Sequence, residues 1–155
     1  MLSMPKVALR ELRQIRKRLS GDGDFELLCA ECFRQLEDYS TALEHYRNSL
    51  RHHSRRSEVH SGIAWCLKRL DDVPHALEAA LEAYRLEPEN SVLLYNVACY
   101  HSLMGDKSQT LSWLGRALRM DGMLRRLIRD ETDFDAIRMD PDFQFIVETC
   151  GQQDE

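Results

Sequence analysis

Apolar side chains recur every three or four residues along most of this chain, in short stretches that turn residues separate. Such spacing is typical of amphipathic helices. Gly21-Asp22-Gly23, Asp71-Asp72, Pro88 and Gly105 mark breaks between the stretches. The pattern therefore predicts helices over residues 5–19, 24–36, 39–53, 57–70, 73–86, 91–104, 107–120 and 123–129, and a last helix from about 141 to 149.

Small residues repeat along these helices at a constant interval. Ala30, Ala64 and Ala98 are 34 residues apart, and so are Ala42, Ala76 and Thr110. A third series consists of Ser49, Ala83 and Ala117. Two helices approach to about 8–10 Å only where the contact residues are small. A period of 34 residues with two helices in each unit is the signature of tetratricopeptide repeats.

On these residues the chain resembles tetratricopeptide-repeat proteins. The resemblance implies an all-α fold, an α-solenoid of three helix-turn-helix units with an N-terminal capping helix and C-terminal capping helices. We expect a single domain over residues 1–155, with the N-terminal helix at 5–19. The repeats are expected at 23–56, 57–90 and 91–124, and the C-terminal cap at 125–150.

The segment after the third repeat strengthens the resemblance. Residues 94–147, which end in DFDAIRMDPDFQFI, resemble the end-of-group tail of bacterial tetratricopeptide proteins. A solenoid needs such a cap because its last helix pair would otherwise expose an apolar face. Asp130, Asp133 and Asp135 look like a calcium loop but lack its glycine and its late glutamate, so no calcium site is expected.

Composition limits the classes of function. The 155 residues carry a net charge of −5 and a pI near 5.7, which disfavours nucleic-acid binding by the chain as a whole. No apolar run reaches the roughly 20 residues that span a bilayer. The N-terminal stretch lacks the apolar centre of a secretory signal. Five cysteines in a chain without an export signal favour the reducing cytoplasm.

The N-terminal helix has two readings. Ala8, Leu12, Ile15 and Leu19 form an apolar stripe, which favours a cap on the first repeat. The rest of its surface is basic, so contact with anionic lipid, RNA or an acidic partner is the alternative. Exchange of this helix between two chains could also build an oligomer.

No residues with a recognisable catalytic or ligand-binding pattern stand out. Cys29 and Cys32 lack a second ligand pair for zinc and are read as core thiols. The basic turn at 51–56 complements the macrodipole of the preceding helix, with a phosphate or acidic-peptide contact as the alternative. No catalytic triad, P-loop or glycine-rich fingerprint is present. We therefore expect no enzyme activity, no cofactor, no metal and no small-molecule substrate.

The resemblance also implies where a partner binds, because the first helix of each unit lines the concave side of such a solenoid. Trp65 and Tyr95 are the strongest candidates, since an exposed large aromatic side chain often anchors a partner. A carboxylate clamp for chaperone tails is not expected, because Leu27, Glu31, Gly62 and Val92 replace its ligands and Asn96 alone matches. The predicted groove consists of Leu27, Glu31, Arg34, Ser61, Trp65, Lys68, Tyr95, Asn96, Cys99 and Ser102.

The expected function is a cytoplasmic adaptor that grips a peptide or a helix of another protein in this groove. A chaperone similar to those of bacterial type III secretion is the first alternative, because it has a comparable size and three repeats after an N-terminal helix. A nucleic-acid or lipid accessory that uses the basic N-terminal helix is the second.

Overall fold

The computed structural model describes residues 4–19, 22–52 and 56–150. Within these ranges the chain is helical and contains no strand, which confirms the predicted all-α fold class. Two 3-10 helices, Gly122–Leu124 and Thr132–Ile137, flank the short helix α8. The α-helices are α1 (Met4–Leu19), α2 (Gly23–Gln35), α3 (Tyr39–Leu50), α4 (Arg56–Arg69), α5 (Val73–Leu86), α6 (Ser91–Leu103), α7 (Lys107–Met120), α8 (Arg125–Ile128) and α9 (Pro141–Thr149).

The chain forms two compact units. Unit 1 is Met1–Ala83 and holds α1 to α4 and most of α5. Unit 2 is Tyr84–Glu155 and holds the end of α5, α6 to α9 and both 3-10 helices. The boundary lies inside α5, so the pair α2–α3 lies wholly in unit 1 and the pair α6–α7 lies wholly in unit 2.

The small residues that define the 34-residue period are all buried. This includes Ser49 and Thr110, the two polar members, whose hydroxyl groups donate to the backbone oxygens of Gly23 and Asp106, each at 2.7 Å. A buried hydroxyl is tolerated where it has such a partner. The buried positions are Ala30, Ala42, Ser49, Ala64, Ala76, Ala83, Ala98, Thr110 and Ala117.

The turn inside each repeat has the same backbone geometry. Glu37, Asp71 and Gly105 are 34 residues apart, and their φ angles are 61°, 64° and 75°. The aspartate that follows is also repeated. Asp38 and Asp106 cap α3 and α7 by accepting from the backbone N–H of Thr41 and Gln109 at 3.2 and 3.1 Å, whereas Asp72 accepts from His75 Nδ1 at 2.8 Å.

In unit 1, α1 packs on α2. Leu9 is buried, and together with Leu12 and Arg13 it borders a cavity of about 90 Å³ that Phe25 and Phe33 close on the other side. This packing is what the capping role requires. The side chains of Ile15, Leu19 and the basic residues between them lie outside the described residues, as do residues 53–55 of the basic turn.

In unit 2, the C-terminal segments cover the helix pair α6–α7. Phe134 of the second 3-10 helix is fully buried, with its ring 5.7 Å from that of Tyr95 and 5.5 Å from that of Phe143. Lys107, at the start of α7, pairs with Asp140 at 2.6 Å and Asp142 at 2.9 Å, which fixes the start of α9. Among the described residues, no helix combines the length and apolar content needed to cross a bilayer.

Candidate functional site

Five of the predicted groove residues lie in unit 1 and are at least partly exposed. Glu31 and Arg34 are one turn apart on α2, and Ser61, Trp65 and Lys68 share a face of α4 because of their spacing of four and three residues. We call these five residues the unit 1 surface.

An ion pair organises the α2 side of this surface. Arg34 Nη2 lies 2.7 Å from Glu31 Oε2, and its Nε donates to the same oxygen at 3.2 Å. The other carboxylate oxygen, Oε1, accepts a hydrogen bond from the Tyr46 hydroxyl. Burial raises the pKa of Tyr46, and its bond to the negative Glu31 raises the pKa further. The phenol therefore stays protonated and acts as a donor.

Tyr46 also joins this ion pair to α4. Its ring lies directly against Gly62, where an added Cβ would be 2.7 Å from the hydroxyl oxygen and closer still to the ring carbons. Next to Gly62 stand Ser61 and, one turn on, Cys66, whose pKa burial raises to about 11. Tyr46 is therefore the internal support of the unit 1 surface, with α2 on one side and α4 on the other.

The α4 side presents an aromatic ring with a cation above it. Trp65 is 42% exposed, and Lys68 Nζ lies 5.4 Å from the centre of its ring. A cation over an exposed tryptophan contributes about 0.5–1 kcal/mol. The indole is partly exposed, and the ammonium group places a positive charge over its face.

Four predicted groove residues are instead interior. Leu27 belongs to the core of unit 1, and Tyr95, Cys99 and Ser102 belong to unit 2. Tyr95 is only 4% exposed because the 3-10 helix Thr132–Ile137 packs on α6 and brings Phe134 against its ring. These four side chains offer no surface to a partner, and we leave them out of the site. Asn96 is half-buried in unit 2.

The sequence pattern did not identify Tyr46 as part of the site. A signal was present in the departures from the repeat: Tyr46 stands where the second repeat has Ala80, and Gly62 stands where the first repeat has Leu28. A large residue in one helix and a missing side chain in another compensate only if the two are in contact. The sequence could therefore have suggested the contact between Tyr46 and Gly62, but it could not have predicted the hydrogen bond from Tyr46 to Glu31.

Unit 2 contains a cleft of about 1220 Å³ bordered by several arginines. Arg125 donates to the backbone oxygens of Val147 and Cys150, both at 2.6 Å. Arg138 donates to those of Ile128 at 3.0 Å and Glu131 at 2.6 Å. These two guanidinium groups tie the C-terminal segments together by donating to backbone oxygens.

No protein-family model matches the chain, and no curated protein matches its sequence. Its structure is similar to that of MamA, with a TM-score of 0.76 and 9% identity over 97% of this chain and 92% of MamA. It is also similar to PilF of Pseudomonas aeruginosa, with a TM-score of 0.74 and 21% identity over 97% of this chain and 70% of PilF.

YrrB, described as a tetratricopeptide-repeat protein with an unusual peptide-binding site, gives a TM-score of 0.64 and 14% identity over 93% of this chain and 82% of YrrB. At these identities the similarity shows the fold. The chain has the tetratricopeptide-repeat fold, as its 34-residue period predicts.

Proposed function

We propose that this protein is a non-enzymatic interaction module whose unit 1 surface binds a short segment of another protein. The observation that carries the proposal is the exposed indole of Trp65 beside the Lys68 ammonium group. Tryptophan and arginine are enriched among the residues that dominate binding energy, and an exposed tryptophan on a rigid element is a typical anchor. The tetratricopeptide-repeat fold and the peptide-binding site named for YrrB support this role.

The charges of the surface indicate the chemistry of the bound segment. Glu31 forms an ion pair with Arg34 and accepts a hydrogen bond from the Tyr46 hydroxyl, and the Lys68 ammonium group lies over the ring of Trp65. The surface therefore favours an apolar side chain that covers the indole and a carboxylate that reaches Lys68. The partner is proposed to carry an acidic residue close to a large apolar one.

The rigidity of the surface is part of the proposal. Glu31, Arg34 and Tyr46 hold each other in place through hydrogen bonds, so their side chains lose little conformational freedom when a partner binds. Trp65 sits on a helix whose neighbouring residues Ala64 and Cys66 are buried. The helix that carries Trp65 is therefore anchored in the core of unit 1.

A peptide-display selection against the purified full chain tests the proposal. We expect the selected peptides to combine an acidic and a large apolar residue, and to lose at least about 2 kcal/mol of binding, a factor of roughly 30, with Trp65→Ala. Lys68→Met is expected to remove the preference for the acidic residue. Binding is measured by fluorescence anisotropy of labelled peptides.

Phe145→Ala is the matched control, because Phe145 is a 65% exposed aromatic residue of unit 2. Its removal is expected to leave peptide binding unchanged. Peptides that bind Trp65→Ala as well as the wild type, with far-UV circular dichroism unchanged, would refute the unit 1 surface as the site.

A further inference from the structure

The cleft of unit 2 carries more positive than negative charge along its lining. Its volume of about 1220 Å³ exceeds the roughly 300–1,000 Å³ of typical small-molecule sites, so it has room for a segment of several residues. The chain as a whole has a net charge of −5, which makes this cleft a basic region on an acidic protein. Its described charged residues are four arginines and two acids, namely Arg125, Arg126, Arg129, Arg138, Asp121 and Glu148.

Three of these arginines have no ion pair with any residue that the structure describes. Arg138 differs from them, because it pairs with Asp135 at 2.8 Å. Arg125 is half-buried and donates to backbone oxygens, which fixes its guanidinium group without neutralising it. Arg126 and Arg129 are exposed and form neither a hydrogen bond nor an ion pair within the described ranges. Unpaired like charges at one place raise the local potential, which a bound anion lowers.

Apolar side chains lie along the same cleft. Met120 and Met123 border it and are 43% and 57% exposed. Val147 of α9 is half-buried and borders it as well. Methionine is unbranched and polarizable, so it adapts to apolar groups of different shapes. A ligand that suits this lining therefore needs both negative charge and an apolar part.

These two requirements favour a peptide over other anions. The planar guanidinium group binds a carboxylate through two parallel hydrogen bonds. Nucleic acids and anionic membranes extend their charges beyond a single cleft, where they would meet the net negative charge of the rest of the chain. Inorganic phosphate would satisfy the arginines and leave the two methionines uncovered.

We propose that this cleft binds an acidic segment of another protein, in which at least two carboxylates lie close to a large apolar residue. The carboxylates pair with Arg126 and Arg129, and the apolar side chain covers Met120 and Met123. Arg125, which its bonds to the backbone hold in place, offers a further contact at little cost in conformational freedom. The site belongs to unit 2 and does not depend on the function proposed for the unit 1 surface.

Fluorescence anisotropy of a synthetic probe with the full chain tests the cleft. The probe is a fluorescein-labelled peptide in which glutamates flank a pair of leucines, and its neutral counterpart has glutamine in place of every glutamate. We expect the acidic peptide to saturate one site, and Arg126→Glu and Arg129→Glu each to weaken its binding by at least about tenfold. The glutamine peptide should bind about tenfold more weakly than the acidic one, and Arg126→Glu should weaken it no further.

Arg47→Glu is the matched control, because Arg47 is an exposed arginine of unit 1 without a hydrogen bond or ion pair to a described residue. It changes the net charge by the same amount and should bind the probe like the wild type. Far-UV circular dichroism checks the helix content of each variant. Arg126→Gln and Arg129→Gln, which remove the charge without reversing it, replace a glutamate variant that does not fold.

The proposal is overturned if the acidic peptide does not saturate, or if the Arg126 and Arg129 variants bind it as the wild type or Arg47→Glu does. It is also overturned if inorganic phosphate, single-stranded DNA or phosphatidylglycerol vesicles bind these arginines more tightly than the peptide does.

Trp65→Ala separates this site from the unit 1 surface. It should leave the probe bound, because Trp65 belongs to unit 1. Loss of the probe with Trp65→Ala alone would assign the peptide to the unit 1 surface, which overturns the cleft and leaves the proposed function standing. A displayed peptide that Arg126→Glu releases belongs to the cleft and does not count against the unit 1 surface.

Discussion

At the scale of single residues, the contact between Tyr46 and Gly62 shows how one pair departs from the repeat and shapes the surface. The tyrosine ring occupies the volume that a side chain at position 62 would need. In exchange, its hydroxyl reaches Glu31 and supports the ion pair with Arg34. A helix glycine normally weakens its helix by about 1 kcal/mol relative to alanine, so its use here has a packing reason.

Gly62→Ala tests whether the glycine is needed to make room for the ring of Tyr46. Helix propensity alone predicts a gain of about 1 kcal/mol, but the new Cβ would overlap the ring of Tyr46, and overpacking typically costs about 1–3 kcal/mol. We expect a net loss of stability in urea unfolding. Gly115→Ala is the matched control, because its Cβ would meet the nearest atom, Arg119 Nη1, at an ordinary 3.4 Å, and it should be neutral or stabilising. A stabilised Gly62→Ala would contradict the contact.

At the scale of elements, a turn with the same backbone geometry joins the two helices of each repeat. A residue with a left-handed backbone follows the first helix of all three repeats, but only the third repeat has the glycine that this backbone favours. Glu37 and Asp71 adopt positive φ with a Cβ, which costs about 1–2 kcal/mol for an ordinary residue. Aspartate tolerates this conformation better than glutamate.

Glu37→Gly is therefore expected to stabilise the protein by about 0.5–1 kcal/mol, after the greater freedom of glycine in the unfolded chain is subtracted. Asp71→Gly should stabilise the protein by less than Glu37→Gly does, and Gly105→Ala should destabilise it by about 1 kcal/mol. Midpoints of urea unfolding measure these differences. Glu44→Gly, in the exposed middle of α3, is the control and should lose about 1 kcal/mol. Equal losses at positions 37 and 44 would show that the turn geometry is misassigned.

At the scale of the whole molecule, two histidines link stability to pH in opposite directions. Burial lowers the pKa of His101 below its usual 6.5, and the carboxylate of Asp106 only partly offsets this. The hydrogen bond with Asp72 raises the pKa of His75, which is exposed and screened by water. The unfolded chain thus binds protons more readily than folded His101, whereas folded His75 binds them more readily than the unfolded chain.

The linkage between proton binding and folding gives the direction in which each histidine changes stability with pH. The contribution of neutral His101 to the free energy of unfolding is complete above about pH 6.5, and it is lost as the pH falls through the lowered pKa. The His75 contribution is present below 6.5 and is lost as the pH rises through its raised pKa. Because solvent weakens the His75 pair, we expect a net loss of stability from pH 7 to pH 5 in urea unfolding. His101→Gln should flatten this dependence and His75→Gln should steepen it; an unchanged slope with His101→Gln would contradict the assignment.

The sequence by itself predicted the helices of the three repeats, their period and the small residues that they bury, but not the 3-10 helix Thr132–Ile137. Ala30, Ala64 and Ala98 mark close crossings, and all are buried as their spacing predicts. This much is local information, because helical periodicity and the small size of a contact residue are properties of a short segment. The resemblance to tetratricopeptide-repeat proteins, and not local periodicity, suggested a partner groove along the first helix of every repeat.

The tertiary structure alone decided which of those positions remain open. Tyr95 and Trp65 occupy similar helix faces in the sequence pattern, yet Tyr95 is buried under Phe134 and Trp65 is exposed. The difference comes from a segment almost forty residues away in the chain, as the ring contact of Tyr95 with residue 134 shows. Local periodicity cannot indicate where a distant segment packs, because that choice depends on the summed burial and hydrogen bonding of the folded unit.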